Sequence, residues 1–176
     1  EFANLREAVV NQSRAWDRES LLTPFNCSWE YIAAIPMMAA PLCWLEPSSL
    51  PADVQARVEG VLRLHRHIAP SLARGFTFPI GAEPNGHTWT GFDCVDSQRP
   101  GRGHLVLYRE DSEHARMELR FARPRAGMRS VRLTCLSHPG SDAVLARSPD
   151  GGAQFEIPER NAFRLYNYEM QEAEAT

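Results

Sequence analysis

Apolar positions along the chain change period once, near Gly75. Before that point they recur at helical spacing, and after it they alternate. Trp29, Ile32, Ala33, Pro36, Met37 and Ala40 share one helical face, with Asn26 or Ser28 placed to cap the first turn. Pro36 predicts a kink or break in that helix, because proline lacks the amide donor and crowds the preceding turn. Leu5, Ala8, Val9 and Trp16 give a weaker helical period, interrupted at Gln12. The clearest predicted helix has Val54, Val58, Val61, Leu62, His65, Ile68 and Leu72 on one face. Pro51 and Asp53 stand in its first turn and Gly75 in the C′ position, with Pro70 awkward near the end. Between the two helices, Pro41-Leu42-Cys43-Trp44-Leu45-Glu46 is apolar on both alternating positions, which predicts a strand buried on both faces. Glu1 to Asn4 reads as the end of an earlier strand.

From Phe76 onward the alternation predicts eight short strands: 76–80, 87–95, 104–109, 115–121, 130–135, 143–147, 154–157 and 162–168. Turn signals separate them, among them Pro84-Asn85-Gly86, Pro100-Gly101-Arg102-Gly103, Pro139-Gly140 and Asp150-Gly151-Gly152. Strands at this spacing suggest an antiparallel β-sandwich. Helix, buried strand and helix are the grammar of an α/β barrel or doubly wound sheet. The predicted fold class is therefore α+β, with a domain boundary after residue 74: an α/β part over 1–74 and a sandwich over 75–176.

Composition narrows the chemistry. A chain of 176 residues with 43% hydrophobic and 23% charged residues suits soluble globular packing. The formal net charge of −3 gives no support for nucleic-acid or membrane-surface partners, although all 19 basic residues are arginine. No run is apolar enough to span a bilayer, Pro36 and Pro41 breaking the best one. No signal peptide is visible at the start, so the expected compartment is the cytoplasm. The chain begins at Glu1 without methionine, as a fragment of a longer protein would. Cys27, Cys43, Cys94 and Cys135 have no C-x-x-C spacing and are expected to be free and reduced. No cofactor motif is present: there is no P-loop and no dinucleotide glycine fingerprint.

His65 and His67 cannot share a metal on a helix, because positions i and i+2 point to nearly opposite sides. His65 is expected to be half-buried and His67 solvated; no metal site is expected. Ser137-His138 lacks a nucleophile elbow, and Asn26-Cys27-Ser28 matches a glycosylation sequon by chance. Asp93 with Asp96, or Glu110 with Asp111, are candidate carboxylate pairs, read here as edge or turn residues that keep a rim wet. Glu46 stands at the C-terminal end of the predicted buried strand, where barrel enzymes place their chemistry, and Asn4 has the same position by analogy. Trp16, Trp29, Trp44 and Trp89 are large enough to stack on sugar rings, with core packing as the commoner use.

The order of the pieces carries a resemblance. Glu-Phe-Ala-Asn, then Thr-Pro-Phe and an apolar helix, lead to Pro-Leu-Cys-Trp-Leu-Glu and Ser-Ser-Leu-Pro. Next comes a helix bearing Leu64-His65-Arg66-His67, followed by Pro79-Ile80-Gly81, Trp89-Thr90-Gly91-Phe92 and Leu105-Val106-Leu107-Tyr108-Arg109-Glu110. This resembles the C-terminal region of α-galactosidase-like (melibiase-type) glycoside hydrolases, whose catalytic (β/α)8 barrel leads into an antiparallel β-sandwich. The resemblance implies that residues 1–74 are the end of the barrel and 75–176 the sandwich. It implies a retaining hydrolase acting on α-galactoside-type carbohydrates. The two catalytic aspartates of that family belong to earlier strands, so no catalytic residue is assigned in this chain. Asn4 and Glu46 are the candidate substrate contacts, and the isolated chain is expected to be inactive. With no barrel to close, Trp29, Met37, Leu42 and Trp44 would leave residues 1–50 apolar and prone to self-association. The alternative class is a non-enzymatic β-sandwich that binds carbohydrate or another protein.

Overall fold

A computed structural model describes residues 27–39, 50–122, 127–146, 148 and 151–172. The predicted strands over 1–4 and 41–46 and the helix over 5–16 lie outside these residues, as do Asn4, Glu46, Trp16, Trp44 and Cys43. The chain divides into two compact units, Glu1–His67 and Ile68–Thr176.

In the first unit the helix predicted from Trp29 forms, and it breaks where Pro36 requires. Helix α1 covers Trp29–Ala34 and gives way to a 3-10 turn over Ile35–Met38. Of the two possible caps Ser28 serves, its hydroxyl accepting from the Tyr31 amide at 3.1 Å. Ile32, Ala34 and Met37 are buried, so Met37 is not part of an exposed apolar surface. Helix α2, Ala52–Leu72, begins in this unit and runs past its boundary. Its spine is Val54, Val61 and Ile68, each buried and seven residues from the next. Burying each such side chain contributes roughly 1.5–3 kcal/mol. His65 is half-buried, with Nδ1 at 2.9 Å from the Met37 carbonyl, and His67 is exposed.

Pro70 does not end α2, which closes at Leu72. The Gly75 amide then donates to the Ser71 carbonyl at 2.8 Å. Gly75 does not take the left-handed conformation expected of a C′ glycine. Space is the reason for glycine there: a Cβ would meet the Cys94 sulfur at 2.6 Å and the Val95 carbonyl at 2.9 Å.

All eight predicted strands are present. They are β1 (Phe76–Gly81), β2 (Trp89–Val95), β3 (Arg102–Arg109), β4 (Arg116–Arg120), β5 (Met128–Cys135), β6 (Ala143–Ala146), β7 (Gly152–Glu156) and β8 (Ala162–Glu172). Six form one sheet in the order β1-β2-β3-β8-β5-β6, and β4 pairs with β7 in a ribbon. Every pairing is antiparallel. The ribbon alternates as a one-sided strand pair should: Leu119, Ala153 and Phe155 are buried, while Arg116, Glu118, Arg120, Gln154 and Glu156 are exposed. Its buried side joins Leu105, Leu107, Val131, Leu133, Tyr166 and Tyr168 of the large sheet in one core. Phe121 stands between the layers, its ring centroid 5.1 Å from that of Tyr168 and 6.0 Å from that of Phe155. The described fold is thus α+β and mostly antiparallel sheet.

One-sided burial, the pattern expected of every sandwich strand, fails at the centre of the large sheet. Val106, Tyr108, Phe163 and Leu165 are buried as completely as the core residues that alternate with them. The unbroken run Leu105-Val106-Leu107-Tyr108 is the sequence signature of a strand covered on both sides.

Candidate functional site: a polar cleft on the large sheet

The large sheet has one face on the core and one turned away from it, and the second face changes character along the strands. Phe92, Val106 and Leu165 lie in register across β2, β3 and β8. Two residues further along, the next row is Cys94, His104, Asn167 and Thr134, now including β5. The row after that is Arg102, Glu169 and Arg132. An apolar face thus becomes polar and then charged in two steps of the pleat.

These last two rows line a cleft of about 270 Å³ lying wholly within residues 68–176. Ser71, Asp96 and Arg99 complete its wall. Gly103 gives the neighbouring strands room: a Cβ there would press on the Cys94 carbonyl and come within 2.9 Å of the Tyr168 ring and hydroxyl. Arg102 is ion-paired with Glu169. Asp96 accepts from the Gln98 and Arg99 amides at 2.9 and 3.1 Å and pairs with the Arg99 Nε at 2.9 Å. The Gln98 amide first, with Arg99 adding to it, holds the Asp96 carboxyl below its ordinary range. Arg132 has no ion-pair partner among the described residues. With the Gln171 amide turned to present its oxygen, that oxygen accepts from Arg132 Nη2 at 3.2 Å and Nε at 3.1 Å. Asn167 Oδ1 is buried without a hydrogen-bond partner. Burial pushes the Cys94 thiol up from its ordinary value, which keeps it protonated and a poor nucleophile.

The other chemical candidates are tied into structure. Asp93 and Glu110 were expected at a wet rim, and both are buried. Asp93 points into the core, where its Oδ1 accepts from the Tyr168 hydroxyl at 2.9 Å and its Oδ2 from the Ala122 amide at 3.0 Å. Asp96, three residues on, faces the cleft, so the two carboxyls do not meet. Glu110 Oε2 accepts from the Asn85, Gly86 and Thr88 amides at 3.2, 2.8 and 3.0 Å, locking the Pro84-Asn85-Gly86 turn. Its neighbour Asp111 pairs with Arg160 at 2.9 Å. Trp89 is a core residue whose indole donates to the His114 carbonyl at 2.8 Å; Trp29 is half-buried.

Ser137 and His138 do touch, with His138 Nδ1 at 3.0 Å from Ser137 Oγ. Arg164 Nη1 faces the other ring nitrogen, Nε2, at 3.4 Å. A guanidinium only donates, so Nε2 is the accepting nitrogen and Nδ1 carries the proton. The imidazole therefore donates to the serine and has no lone pair to deprotonate it. The Leu165 amide also donates to Ser137 Oγ, at 3.0 Å. The arrangement fixes a loop and does not activate a nucleophile. Among the described residues no three His, Cys, Asp or Glu side chains gather as a metal site. Cys27, Cys94 and Cys135 are buried, Cys94 and Cys135 as free thiols, and no described helix is long and apolar enough to cross a membrane.

Sequence reasoning missed the cleft. Arg102, His104, Arg132, Asn167 and Glu169 are ordinary polar positions on alternating strands, up to 67 residues apart. Only the β3-β8-β5 register brings them together. Asn4 and Glu46, the residues the sequence did single out, lie outside the described residues. The class these observations define is an α+β protein whose large antiparallel sheet carries a small, arginine-lined cleft. No protein-family model, no curated protein and no solved structure matches this chain.

Proposed function

We propose that this chain is the non-catalytic, C-terminal part of a retaining glycoside hydrolase of the α-galactosidase-like kind, its antiparallel domain serving as accessory to a catalytic barrel. The observation that carries this reading is the employment of the carboxylates. Glycoside hydrolysis needs one carboxyl free to protonate the leaving oxygen and another free to attack or to activate water. Asp93 and Glu110 are buried on hydrogen-bond donors, and Asp96, Asp111 and Glu169 are held by arginines. The passage from a long helix directly into antiparallel strands agrees with the order of elements in that family. Residues 1–74 are assigned to the barrel end on the same resemblance, with Asn4 and Glu46 facing substrate, and carbohydrate reaches the protein through the whole enzyme.

A panel of chromogenic glycosides offered to the chain alone tests the reading. No turnover is expected, and α-galactosidase activity is expected to return when the preceding barrel segment is supplied by fusion or in trans. Turnover by the chain alone that disappears in Glu46→Gln would place the catalytic machinery here and overturn it.

A second reading is favoured by the cleft: a free-standing, non-enzymatic β module that binds a small polar ligand. An upstream reading frame encoding a barrel with paired aspartates supports the first reading; a start codon just before Glu1 supports the second.

A further inference from the structure

We propose that the cleft on the large sheet is a binding site for a small, hydroxyl-bearing anion, a carboxylate or phosphate on a body of about monosaccharide size, with Arg132 as its principal anchor. The inference stands on the cleft alone and holds for either reading of the chain.

Charge accounting at the cleft points to an anion. Arg99 and Arg102 are each neutralised by a carboxylate, Asp96 and Glu169 respectively. Arg132 is the third guanidinium of the wall, and its neighbour is the neutral Gln171 amide. Glu169 lies between Arg102 and Arg132 in register and bonds to Arg102. Three cations therefore face two carboxylates, and the surplus positive charge sits on the β5 side. In a protein of net charge −3 such a local surplus stands out. A guanidinium presents parallel N–H donors that match the two oxygens of a carboxylate or phosphate, and such charge-assisted bonds are roughly twice as strong as neutral ones.

Size and lining specify the rest of the ligand. At about 270 Å³ the cleft falls just below the usual range of small-molecule pockets, roughly 300–1,000 Å³. The remaining wall offers the Ser71 and Thr134 hydroxyls and the Asp96 and Glu169 carboxylates, which suit ligand hydroxyls as donors and acceptors. Tyr168 and His104 are the only ring-bearing side chains among the lining residues, and neither belongs to the apolar Phe92-Val106-Leu165 row. A planar apolar ligand would face a wall that is mostly polar and charged, whereas a polyol can satisfy its hydroxyls there.

The test uses three probes that share one sugar body: glucose, glucuronate and glucose 6-phosphate. Each is titrated into the whole chain by calorimetry at low and moderate salt. Glucuronate, glucose 6-phosphate or both are expected to bind at least tenfold more tightly than glucose, with affinity falling as salt rises. Which anion binds better distinguishes a carboxylate ligand from a phosphate one. Arg132→Gln is expected to weaken the anion by about tenfold or more and to leave glucose unchanged. Arg116→Gln, on the ribbon outside the cleft, is the control for general loss of charge and is expected to change nothing. Amide NMR spectra of each variant check that the sheet is intact. Equal binding of glucose and the anions, absence of binding by all three, or equal losses in Arg132→Gln and Arg116→Gln would each overturn the assignment. None of these results touches the hydrolase reading, which is decided by turnover.

Discussion

Asp93 shows how one side chain takes its role from its surroundings. It is a carboxyl with no exposed surface, bonded to the Tyr168 hydroxyl and the Ala122 amide. Burial is the dominant influence and raises its pKa above the ordinary 3.8, against the lowering effect of its two donors. A group whose folded pKa is raised binds its proton more tightly folded than unfolded. Its contribution to stability is therefore most favourable near and below pH 4, and is lost as pH rises through the folded value. In Asp93→Asn the amide oxygen can accept from Ala122 and the amide nitrogen can donate to Tyr168, so both contacts survive without a titrating charge. Urea unfolding at pH 7.5 and pH 4.5 checks the consequence. The stability of the natural protein relative to Asp93→Asn is expected to rise as pH falls between those values. A difference independent of pH would mean that the carboxyl does not titrate in this window.

At the C-terminal end of β3, two side chains add ties to the strand ladders. Arg109 closes β3 by donating to the Ser112, Ile157 and Pro158 carbonyls, and so fastens the large sheet to the segment that follows β7 of the ribbon. Glu110 does the reverse at the next position, accepting three amides from the turn that opens β2. Removing the carboxylate leaves three amides without an acceptor, so Glu110→Ala is expected to cost roughly 3 kcal/mol of stability. Glu110→Gln keeps an acceptor without the charge and is expected to cost about half as much. Chemical denaturation gives both values. If the two substitutions cost the same, the turn depends on the volume of the side chain and not on the acceptor. The 3-10 turn after α1 belongs at this scale too, since Pro36 replaces a helical hydrogen bond with a tighter geometry.

At the scale of the molecule, the last strand joins the two halves of the large sheet. β8 is the longest strand, with 11 residues, and it lies between β3 and β5. The large sheet cannot close until the end of the chain arrives, and the core joins residues from Ile80 to Met170. Contacts of such long sequence separation make a single cooperative unit. Limited proteolysis is therefore expected to cut first before about residue 50 and to leave a resistant fragment that begins near α2 and includes β1 to β8. Early cleavage inside residues 76–168 would show that the β-rich unit is not cooperative.

The sequence by itself determined the local structure. All eight strands, the α1 break at Pro36 and the half-buried His65 follow from periodicity and stereochemistry, which act over a few residues; the cap was narrowed to Asn26 or Ser28, and the structure chose Ser28. The tertiary structure alone decided which strands are neighbours, and with that everything chemical. Alternation says that Arg132, Asn167 and Glu169 point to one side of their strands, but not that β8 inserts between β3 and β5 and sets them beside Arg102 and His104. It marks Asp93 and Glu110 as polar and therefore exposed, because burial of a carboxylate depends on donors brought from distant parts of the chain. Gly75 was legible as a helix-ending glycine, yet the reason for it is the approach of Cys94, a contact that exists only once the sheet has formed.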